Sequence, residues 1–326
     1  MPDTDQNNQT QNNKTPLPTP ESARALVDRL VLAASEILLG KERELRLALA
    51  CLFANGHLLI EDLPGVGKTT LAHLLAQILG LRFQRIQFTS DLLPADLLGI
   101  SIYERETGGF RFHPGPIFSQ VILADEVNRA TPKAQSALLE AMEERQITVE
   151  GQTYPLPAPF FVIATQNPSY HIGTFPLPES QLDRFLMRIE LGYPAPDAER
   201  ALLKGEDRRL LLATLKPIGN PEALAAVQRQ VSAVGVTDPL FDYIQALIAY
   251  TRAPQRFEAG LSPRAGLALL RSARAFAYIS GRAFVIPEDV QTVLAPVVGH
   301  RLRPLGQERT TPDLVARTIL SAIPIP

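Results

Sequence analysis

The sequence predicts an α/β protein in which a parallel sheet lies between helices and is followed by an all-helical C-terminal domain. Three observations lead to this fold class. An apolar run at 58–60 enters a Gly-rich turn that opens a helical pattern. A second apolar run, at 121–124, ends in two carboxylates. After about residue 205 the apolar positions recur with the spacing of helices.

The Gly-rich turn has the sequence of a phosphate-binding loop. The general pattern is G-x-x-x-x-G-K-[ST], and Gly67, Lys68 and Thr69 supply its second half. Backbone N–H groups of such a loop and of the helix N-terminus point at phosphate oxygens. Lys68 would reach the β- and γ-phosphates, and the Thr69 hydroxyl would bind Mg²⁺. The predicted nucleotide-binding residues are Asp62, Leu63, Pro64, Gly65, Val66, Gly67, Lys68, Thr69 and Thr70.

One position departs from the general pattern, because Asp62 stands where Gly is usual. Asp tolerates unusual turn dihedrals better than most residues, so the loop can still form. We expect its carboxylate to point away from the phosphates. The competing interpretation of the segment is an ordinary Gly-rich turn between a strand and a helix.

The two carboxylates after the second apolar run are Asp125 and Glu126. A short, fully apolar run is typical of a buried parallel strand, and ligands bind at the carboxyl ends of such strands. Asp125 would hold Mg²⁺, mainly through its waters, and Glu126 would act as the general base for the attacking water. Two solvated acids at a strand end are the alternative, but Lys68 and Thr69 favour the catalytic interpretation.

A third apolar run, at 160–164, leads to Asn167. At the end of a neighbouring strand its amide would orient the water or sense the γ-phosphate. An Asn before Pro168 is also a common turn residue, so its place in the series of strand ends is what makes it a candidate.

The chain divides into three parts. Residues 1–20 are polar and are expected to be a disordered tail. Residues 21–204 form the predicted α/β core, with two helices at 21–54 and strands near 57–61, 83–88, 119–125, 159–165 and 186–191. Residues 205–326 form the predicted helical domain, with its clearest helices at 261–278 and 287–298.

Two hairpins are expected to interrupt the core, near 100–113 and 146–156. Gly108-Gly109 suits the tight turn of the first. These hairpins either complete the edge of a sheet or project to contact a substrate. The candidate contact residues are Tyr103, Arg105, Phe110 and Arg111.

Composition argues against several classes of protein. The net charge of −2 gives no basic field for nucleic acid. The single cysteine excludes an intrachain disulfide. No apolar run reaches the length of a membrane span, and the first residues lack the layout of a signal peptide. We therefore expect a cytoplasmic protein without membrane insertion.

The order of motifs resembles the MoxR family of AAA+ ATPases over roughly residues 25–300. MoxR-like loops commonly lack the first Gly, so Asp62 fits the family. The matching segments are EDLPGVGKT at 61–69, DLLPADLLG at 91–99, DEVNRA at 125–130, QSALLEAMEE at 135–144, ATQNP at 164–168, PLPESQLDRF at 176–185 and SPRA at 262–265.

The resemblance implies ATP and Mg²⁺ as ligands, ATP hydrolysis, and a ring, expected to be a hexamer, with active sites shared between subunits. Arg184 matches the arginine finger, which would enter the neighbouring subunit's site. Arg264 matches the sensor arginine of the lid, and an arginine in a first helical turn opposes the helix dipole unless an anion is near. Arg129 is a further candidate for an interface or nucleotide-sensing role. The C-terminal domain has the size of an AAA+ lid that closes over the nucleotide.

The resemblance also implies chaperone-like work on a client protein, including help with metal or cofactor insertion. A partner with a von Willebrand factor A domain is expected, as a separate chain. Three alternatives stay open: a nucleic-acid motor, although nucleic acid is an unlikely ligand at this net charge; a nucleotide switch that does not hydrolyse ATP; and a chelatase-type subunit.

Overall fold

The computed structural model describes residues 20–106, 108–167, 174–205, 208–306 and 310–325. The predicted tail lies outside these ranges except for Pro20, which begins the first helix. Thr107 of the first predicted hairpin turn and Pro168 of the third motif also lie outside them.

The centre of the molecule is a five-stranded parallel sheet. The strands, in chain order, are β1 Leu58–Glu61, β2 Phe83–Gln87, β3 Gly99–Glu104, β4 Gly109–Pro114, β5 Val121–Asp125, β6 Gln146–Val149, β7 Gln152–Pro155, β8 Phe161–Gln166 and β9 Met187–Ile189. The sheet has the order β2-β5-β8-β1-β9, which confirms the five predicted core strands. Because all five run in one direction, their carboxyl ends meet at one edge.

Thirteen helices surround the sheet and complete the C-terminal part of the described chain. They are α1 Pro20–Ser35, α2 Glu42–Phe53, α3 Lys68–Ile78, α4 Pro94–Leu98, α5 Pro132–Glu144, α6 Glu179–Leu182, α7 Pro196–Lys204, α8 Arg208–Thr214, α9 Pro221–Ser232, α10 Asp238–Arg252, α11 Pro263–Ile279, α12 Pro287–Val298 and α13 Pro312–Ala322. Among the described residues, none of these helices combines the length and apolarity needed to span a membrane.

The sheet separates two hydrophobic cores. Along β1, Leu58 and Ile60 join the core formed with α2, α3 and the C-terminal helices, whereas Leu59 joins the core formed with α5. Side chains alternate between the two faces of a strand, so one short apolar run supplies both cores. All five residues of β5 are buried, as expected of a strand covered on both faces.

The two predicted hairpins are present as separate two-stranded sheets, β3-β4 and β6-β7. They contact each other through the stacked rings of Phe112 and Tyr154, whose centroids are 4.1 Å apart. Towards the end of the first hairpin, Tyr103 and Phe110 pack edge to face and are 54% and 73% exposed. The tip therefore presents an aromatic pair to solvent.

The C-terminal helices pack on the core through α11. Ser262 is its N-cap, with Oγ accepting a hydrogen bond from Ala265 N at 3.0 Å, and Pro263 is its first residue, as the sequence predicted. Helix α11 contacts α1, α2, α9, α10 and α12. It therefore fixes the helical domain to the N-terminal helices on one side of the sheet.

Candidate functional site

The loop after β1 has the backbone of a phosphate cradle. Gly65 and Gly67 have φ of +83° and +101°, and Gly67 is the N-cap of α3. Side-chain-bearing residues rarely adopt these dihedrals, which explains why glycine is needed at both positions. The free N–H groups at the start of α3 open into the space beyond the sheet edge.

Lys68 lies buried across the mouth of this loop. Its Nζ donates to the Asp62 carbonyl oxygen at 2.6 Å, to the Leu63 carbonyl oxygen at 3.1 Å and to Asn167 Oδ1 at 3.4 Å. Burial lowers the pKa of Lys68, and the carboxylates of Asp62, Asp125 and Glu126 act in the opposite direction. The ammonium group is thus held where phosphate oxygens would approach the loop.

The Asp62 carboxylate points towards the segment after β9, and Asp62 does not line the phosphate cavity described below. Its Oδ1 accepts from Leu63 N at 2.8 Å, and its Oδ2 accepts from both Leu191 N and Gly192 N at 2.6 Å. The carboxylate therefore joins the phosphate loop to the segment that follows β9. Asp62 contacts the predicted phosphate ligand Lys68 through its backbone carbonyl oxygen, and its place among the nucleotide-binding residues stays a prediction.

Asp125 ends β5 as a buried carboxylate with partners on both oxygens. Thr165 Oγ1 donates to Oδ1 at 2.6 Å, and Arg85 donates to Oδ2 from Nη2 at 2.6 Å and from Nε at 3.1 Å. Arg85 comes from the neighbouring strand β2 and was not recognised in the sequence. An arginine two residues before a strand end carries no pattern that distinguishes it from a surface charge.

Glu126 has a left-handed backbone, with φ of +57°, and its N–H donates to Thr165 Oγ1 at 2.9 Å. Such dihedrals are uncommon outside glycine and are often found at functional sites. Its carboxylate accepts hydrogen bonds from Asn167 Nδ2 at 3.0 Å, Gln87 Nε2 at 3.1 Å and Arg129 Nη1 at 3.0 Å. The structure therefore places Arg129 on the chain's own Glu126.

These groups surround a cavity of about 410 Å³ at the carboxyl edge of the sheet. Of the predicted residues, the structure brings together the loop glycines, Lys68, Thr69, Asp125, Glu126 and Asn167. Arg184 and Arg264 are not among its lining residues. The arrangement combines a cation, a hydroxyl, two carboxylates and an amide, as a site for phosphoryl transfer to water requires.

A second cavity, of about 460 Å³ and mainly apolar, lies on the other side of the phosphate loop. It is lined by residues such as Ile37, Leu39, Val66, Tyr193 and Leu203. An apolar cavity beside a phosphate cradle suits a nucleobase. Sequence reasoning missed it because its walls come from three distant segments that share no local motif. Among the described residues, helices α9 to α13 line neither this cavity nor the phosphate cavity, so closure of the lid over the nucleotide stays a prediction.

A third cavity, of about 440 Å³, contains the two remaining predicted arginines. Arg184 Nε lies 2.9 Å from Glu143 Oε2, and Arg264 Nη2 donates to Glu143 Oε1. Asn55, Gly56 and His57 also line this cavity, and they directly precede β1. The phosphate loop follows β1, so the two sites lie at opposite ends of the same strand.

The arginine cavity carries a strong excess of positive charge. Five arginines line it against two carboxylates, Glu143 and Asp183; the arginines are Arg145, Arg184, Arg264, Arg271 and Arg301. Arg145 and Arg271 both donate to the Asn55 carbonyl oxygen at 3.0 Å. Burial lowers the pKa of each, and in Arg145 the charge of Arg271 adds to the effect. This cavity is therefore suited to an anion.

Asp183 joins the arginine cavity to the helical domain. Its carboxylate accepts from Arg301 Nε at 2.6 Å and from Ser262 Oγ at 3.0 Å. Arg301 is almost fully buried and also donates to the Phe185 carbonyl oxygen at 2.6 Å. The two predicted arginines consequently lie on a surface shared by the core and the lid.

Comparison with known proteins agrees with this geometry. Residues 57–187 match the family model described as ATPase family associated with various cellular activities (AAA), and residues 249–319 match the AAA lid domain. The chain is 37% identical to Chaperone MoxR1 of Mycobacterium tuberculosis, covering 92% of this chain and 82% of the relative.

The chain belongs to the MoxR family of AAA+ ATPases. Its similarity to further proteins also extends over nearly the whole sequence. It is 43% identical to the uncharacterized protein YeaC of Bacillus subtilis, covering 94% of this chain and 97% of the relative. A protein from Cytophaga hutchinsonii, solved by crystallography and described as a candidate ATPase, superposes with a TM-score of 0.84 at 35% identity, covering 94% and 97% of the two chains. Both the AAA+ core and the helical lid of this MoxR-family chain are therefore shared with its relatives.

Proposed function

We propose that this MoxR-family protein binds and hydrolyses ATP, at sites completed by a neighbouring subunit. The observation that carries the proposal is the separation of the phosphate cavity from the arginine cavity by the length of β1. A four-residue strand is about 13 Å long, so Arg184 and Arg264 are too far to reach the phosphates of their own subunit. Each subunit offers half of a site at either end of its central sheet.

Within one subunit, the phosphate cavity provides the groups that bind the nucleotide. Backbone N–H groups of the loop and Lys68 would hold the phosphates, and the apolar cavity beside Val66 and Tyr193 would take the base. Lys68 already lies between loop carbonyls and Asn167, so it needs only a small movement to reach a bound phosphate.

The residues present fit Mg²⁺. The site offers the Thr69 hydroxyl and the Asp125 carboxylate, which are oxygen ligands of the kind Mg²⁺ prefers. The contact of the Arg85 guanidinium with Asp125 Oδ2 supports this, because it pairs the carboxylate with a cation that also lines the cavity. Mg²⁺, when bound, would neutralise phosphate charge. Thr69 and Asp125 would hold it, with Thr165 fixing the orientation of Asp125.

Glu126 is the residue placed to take a proton from water. Three donors now hold its carboxylate, from Asn167, Gln87 and Arg129. A water molecule must compete with these three donors for the carboxylate oxygens. Glu126 would therefore act as a base once at least one donor is withdrawn, and Asn167, which also contacts Lys68, would respond to the phosphates.

Arg184 and Arg264 would act in trans on the nucleotide of the neighbouring subunit. Both side chains now bind Glu143, so they are already close to each other on one surface. Two guanidinium groups at one point suit the charge of a terminal phosphate. Two different surfaces of this kind form a ring when the rotation between subunits closes, and we propose such a ring with six subunits.

Subunit mixing tests the shared site. Lys68→Ala removes the phosphate ligand and Arg184→Ala the finger, and each variant alone should lack ATPase activity. Mixed, they should regain activity, because some interfaces then pair an intact loop with an intact arginine. A mixture of Lys68→Ala with Glu126→Gln is the control and should stay inactive. Failure of the first mixture to recover, with assembly intact by mass measurement, rejects the trans mechanism.

The further steps of the proposal concern what the ATPase does. We propose chaperone-like remodelling of a client protein in the cytoplasm, where ATP is available, with a von Willebrand factor A domain protein as partner and help in metal or cofactor insertion as one outcome. The exposed Tyr103–Phe110 pair supports a contact with another protein. Capture of partners by the Glu126→Gln protein in ATP, identified by mass spectrometry and absent with Lys68→Ala, tests this step.

A further inference from the structure

Arg85 places a positive charge on Asp125, the predicted Mg²⁺ ligand. It lies on β2, beside Leu123 of β5, and its side chain runs along the sheet to the end of β5. Nη2 and Nε both donate to Asp125 Oδ2, at 2.6 and 3.1 Å. A positive charge thus occupies one of the two carboxylate oxygens of Asp125, and both residues line the cavity.

This contact and metal binding compete for the same carboxylate. Asp125 Oδ1 is already satisfied by Thr165, so Oδ2 is the oxygen that remains for a metal ion or its water. The Asp125 side chain is only 11% exposed, whereas Arg85 is 49% exposed. The carboxylate is therefore fixed, and Arg85 is the partner that can turn away into solvent.

Arg85 is also connected to Glu126. Its Nη2 donates to Gln87 Oε1 at 2.9 Å, and Gln87 Nε2 donates to Glu126 Oε2 at 3.1 Å. The side chains of Arg85 and Gln87 lie on the same face of β2, because they are two residues apart. A continuous hydrogen-bonded chain therefore runs from Asp125 through β2 to Glu126.

We propose that Arg85 is a positioning residue that serves as the counterion of Asp125 until Mg²⁺ replaces it. Its departure removes the donor that orients the Gln87 amide, which weakens one of the three contacts holding Glu126. The inference rests on the proposed function, since it concerns the same metal site. It adds that metal binding prepares the base through Arg85 and Gln87.

Two other roles for Arg85 predict different behaviour. If Arg85 is a direct phosphate ligand, its removal weakens nucleotide and metal binding together. If the Arg85–Asp125 pair is a permanent structural contact, removal destabilises the protein and does not strengthen metal binding. A counterion that must leave predicts the opposite sign, because removing a competing cation tightens metal binding.

The test measures Mn²⁺ binding by electron paramagnetic resonance at a fixed, saturating ADP concentration. Arg85→Gln should bind Mn²⁺ about fivefold more tightly than the wild type, the factor that corresponds to loss of a half-exposed ion pair. Its nucleotide-free thermal unfolding temperature should fall, because the buried Asp125 carboxylate loses its counterion. Arg82→Gln, an exposed arginine just before β2, is the matched control and should change neither quantity.

Unchanged or weaker Mn²⁺ affinity in Arg85→Gln overturns the inference. Arg85→Lys provides a second variant if Arg85→Gln does not fold. Lysine keeps the positive charge but cannot donate two hydrogen bonds in the geometry of the guanidinium group. Mn²⁺ affinity should therefore return towards the wild-type value. Tightening as large as that of Arg85→Gln would contradict a counterion role. Absence of ADP-dependent Mn²⁺ binding in the wild type would instead reject the proposed function, and this inference with it.

Discussion

Asn167 donates a hydrogen bond from Nδ2 to Glu126 Oε1 at 3.0 Å. The two residues follow neighbouring parallel strands, β8 and β5, which places their side chains at the same edge of the sheet. Asn167 also accepts from Lys68, so one amide contacts both the predicted phosphate ligand and the proposed general base. Phosphate contact and base orientation are therefore linked through a single side chain.

Glu126→Gln should abolish turnover while leaving nucleotide binding intact. A glutamine fills the same space but cannot accept a proton from water, so ATPase activity should fall by about 100-fold or more. The measurements are steady-state ATPase activity and binding of a fluorescent ADP analogue. Glu140→Gln on the exposed face of α5 is the control. Turnover at the wild-type rate would remove Glu126 from the role of base.

Asp62→Ala should destabilise the fold strongly. It leaves the N–H groups of Leu63, Leu191 and Gly192 without their acceptor, and unsatisfied buried donors are costly. We expect a loss of about 3 kcal/mol in the free energy of unfolding. Urea titration measures this loss, and Asp242→Ala on the exposed face of α10 is the control. A loss below about 1 kcal/mol would show that the loop is not tied to the β9 segment in this way.

Glu143→Gln should favour assembly in ATP. In the isolated subunit the Glu143 carboxylate binds both Arg184 and Arg264, and this contact must break before either arginine reaches a neighbour's phosphate. Loss of the negative charge should lower the protein concentration at which ATPase activity is half-maximal. The test is specific activity against protein concentration, with mass read in parallel. A higher half-maximal concentration would mean that Glu143 positions the arginines for the neighbour.

Stability should fall as the pH is lowered through the histidine range. His57 is buried, accepts from Val162 N through Nδ1, and donates through Nε2 to the Met142 carbonyl oxygen. Burial is the main cause that lowers its pKa to about 3, and burial also holds the pKa of His300 well below its usual value. Protons bind these histidines in the unfolded chain before they bind in the folded one. Stability is therefore complete above about pH 6.5 and is lost progressively below it.

The size of this loss of stability follows from the lowered pKa of His57. At pH 5 protonation of the unfolded chain should cost about 2 kcal/mol for His57 alone. Urea titrations at pH 7.5 and 5.0 measure it. His57→Gln should unfold more easily at pH 7.5 but show a pH difference smaller by about the same amount. A wild-type protein as stable at pH 5.0 as at pH 7.5 would contradict the buried, neutral histidines.

Changes at the aromatic tip of the first hairpin should reduce partner binding without changing ATP hydrolysis. Tyr103→Ala and Phe110→Ala remove exposed rings that do not line the phosphate cavity, so basal ATPase activity should stay at the wild-type value. Capture of partners by Glu126→Gln protein carrying either change should fall. If both variants still capture the same partners, the hairpin does not contact them, and the alternative that it only completes the edge of a sheet is favoured.

Much of the fold and the phosphate site was predictable because each strand and its functional residue are contiguous. The run 121–124 predicts both a buried strand and the position of Asp125, and the parallel sheet then brings Asp125, Lys68 and Asn167 to one edge. The apolar cavity and the Asp62 contact with Leu191 depend on segments more than 100 residues apart, for which periodicity gives no information.

The orientation of the lid was also beyond sequence reasoning. Ser262 and Pro263 predict where α11 begins, but no local sequence pattern indicates which end of the sheet that helix approaches. Its packing against α1 and α2 directs Arg264 to the amino end of β1. Local sequence signals therefore place Arg264 at the start of a lid helix without fixing whether it serves its own nucleotide or that of another subunit.

The placement of the two half-sites at opposite ends of β1 gives every subunit a direction. A two-fold dimer joins identical surfaces and would leave both nucleotide sites without arginines, and any open row ends with one unused loop and one unused arginine pair. Under the proposed trans mechanism, only a closed ring uses every half-site. Loss of one subunit from the ring would leave one nucleotide site without arginines and one pair of arginines without a nucleotide. The complete ring is therefore the smallest assembly in which every site is active.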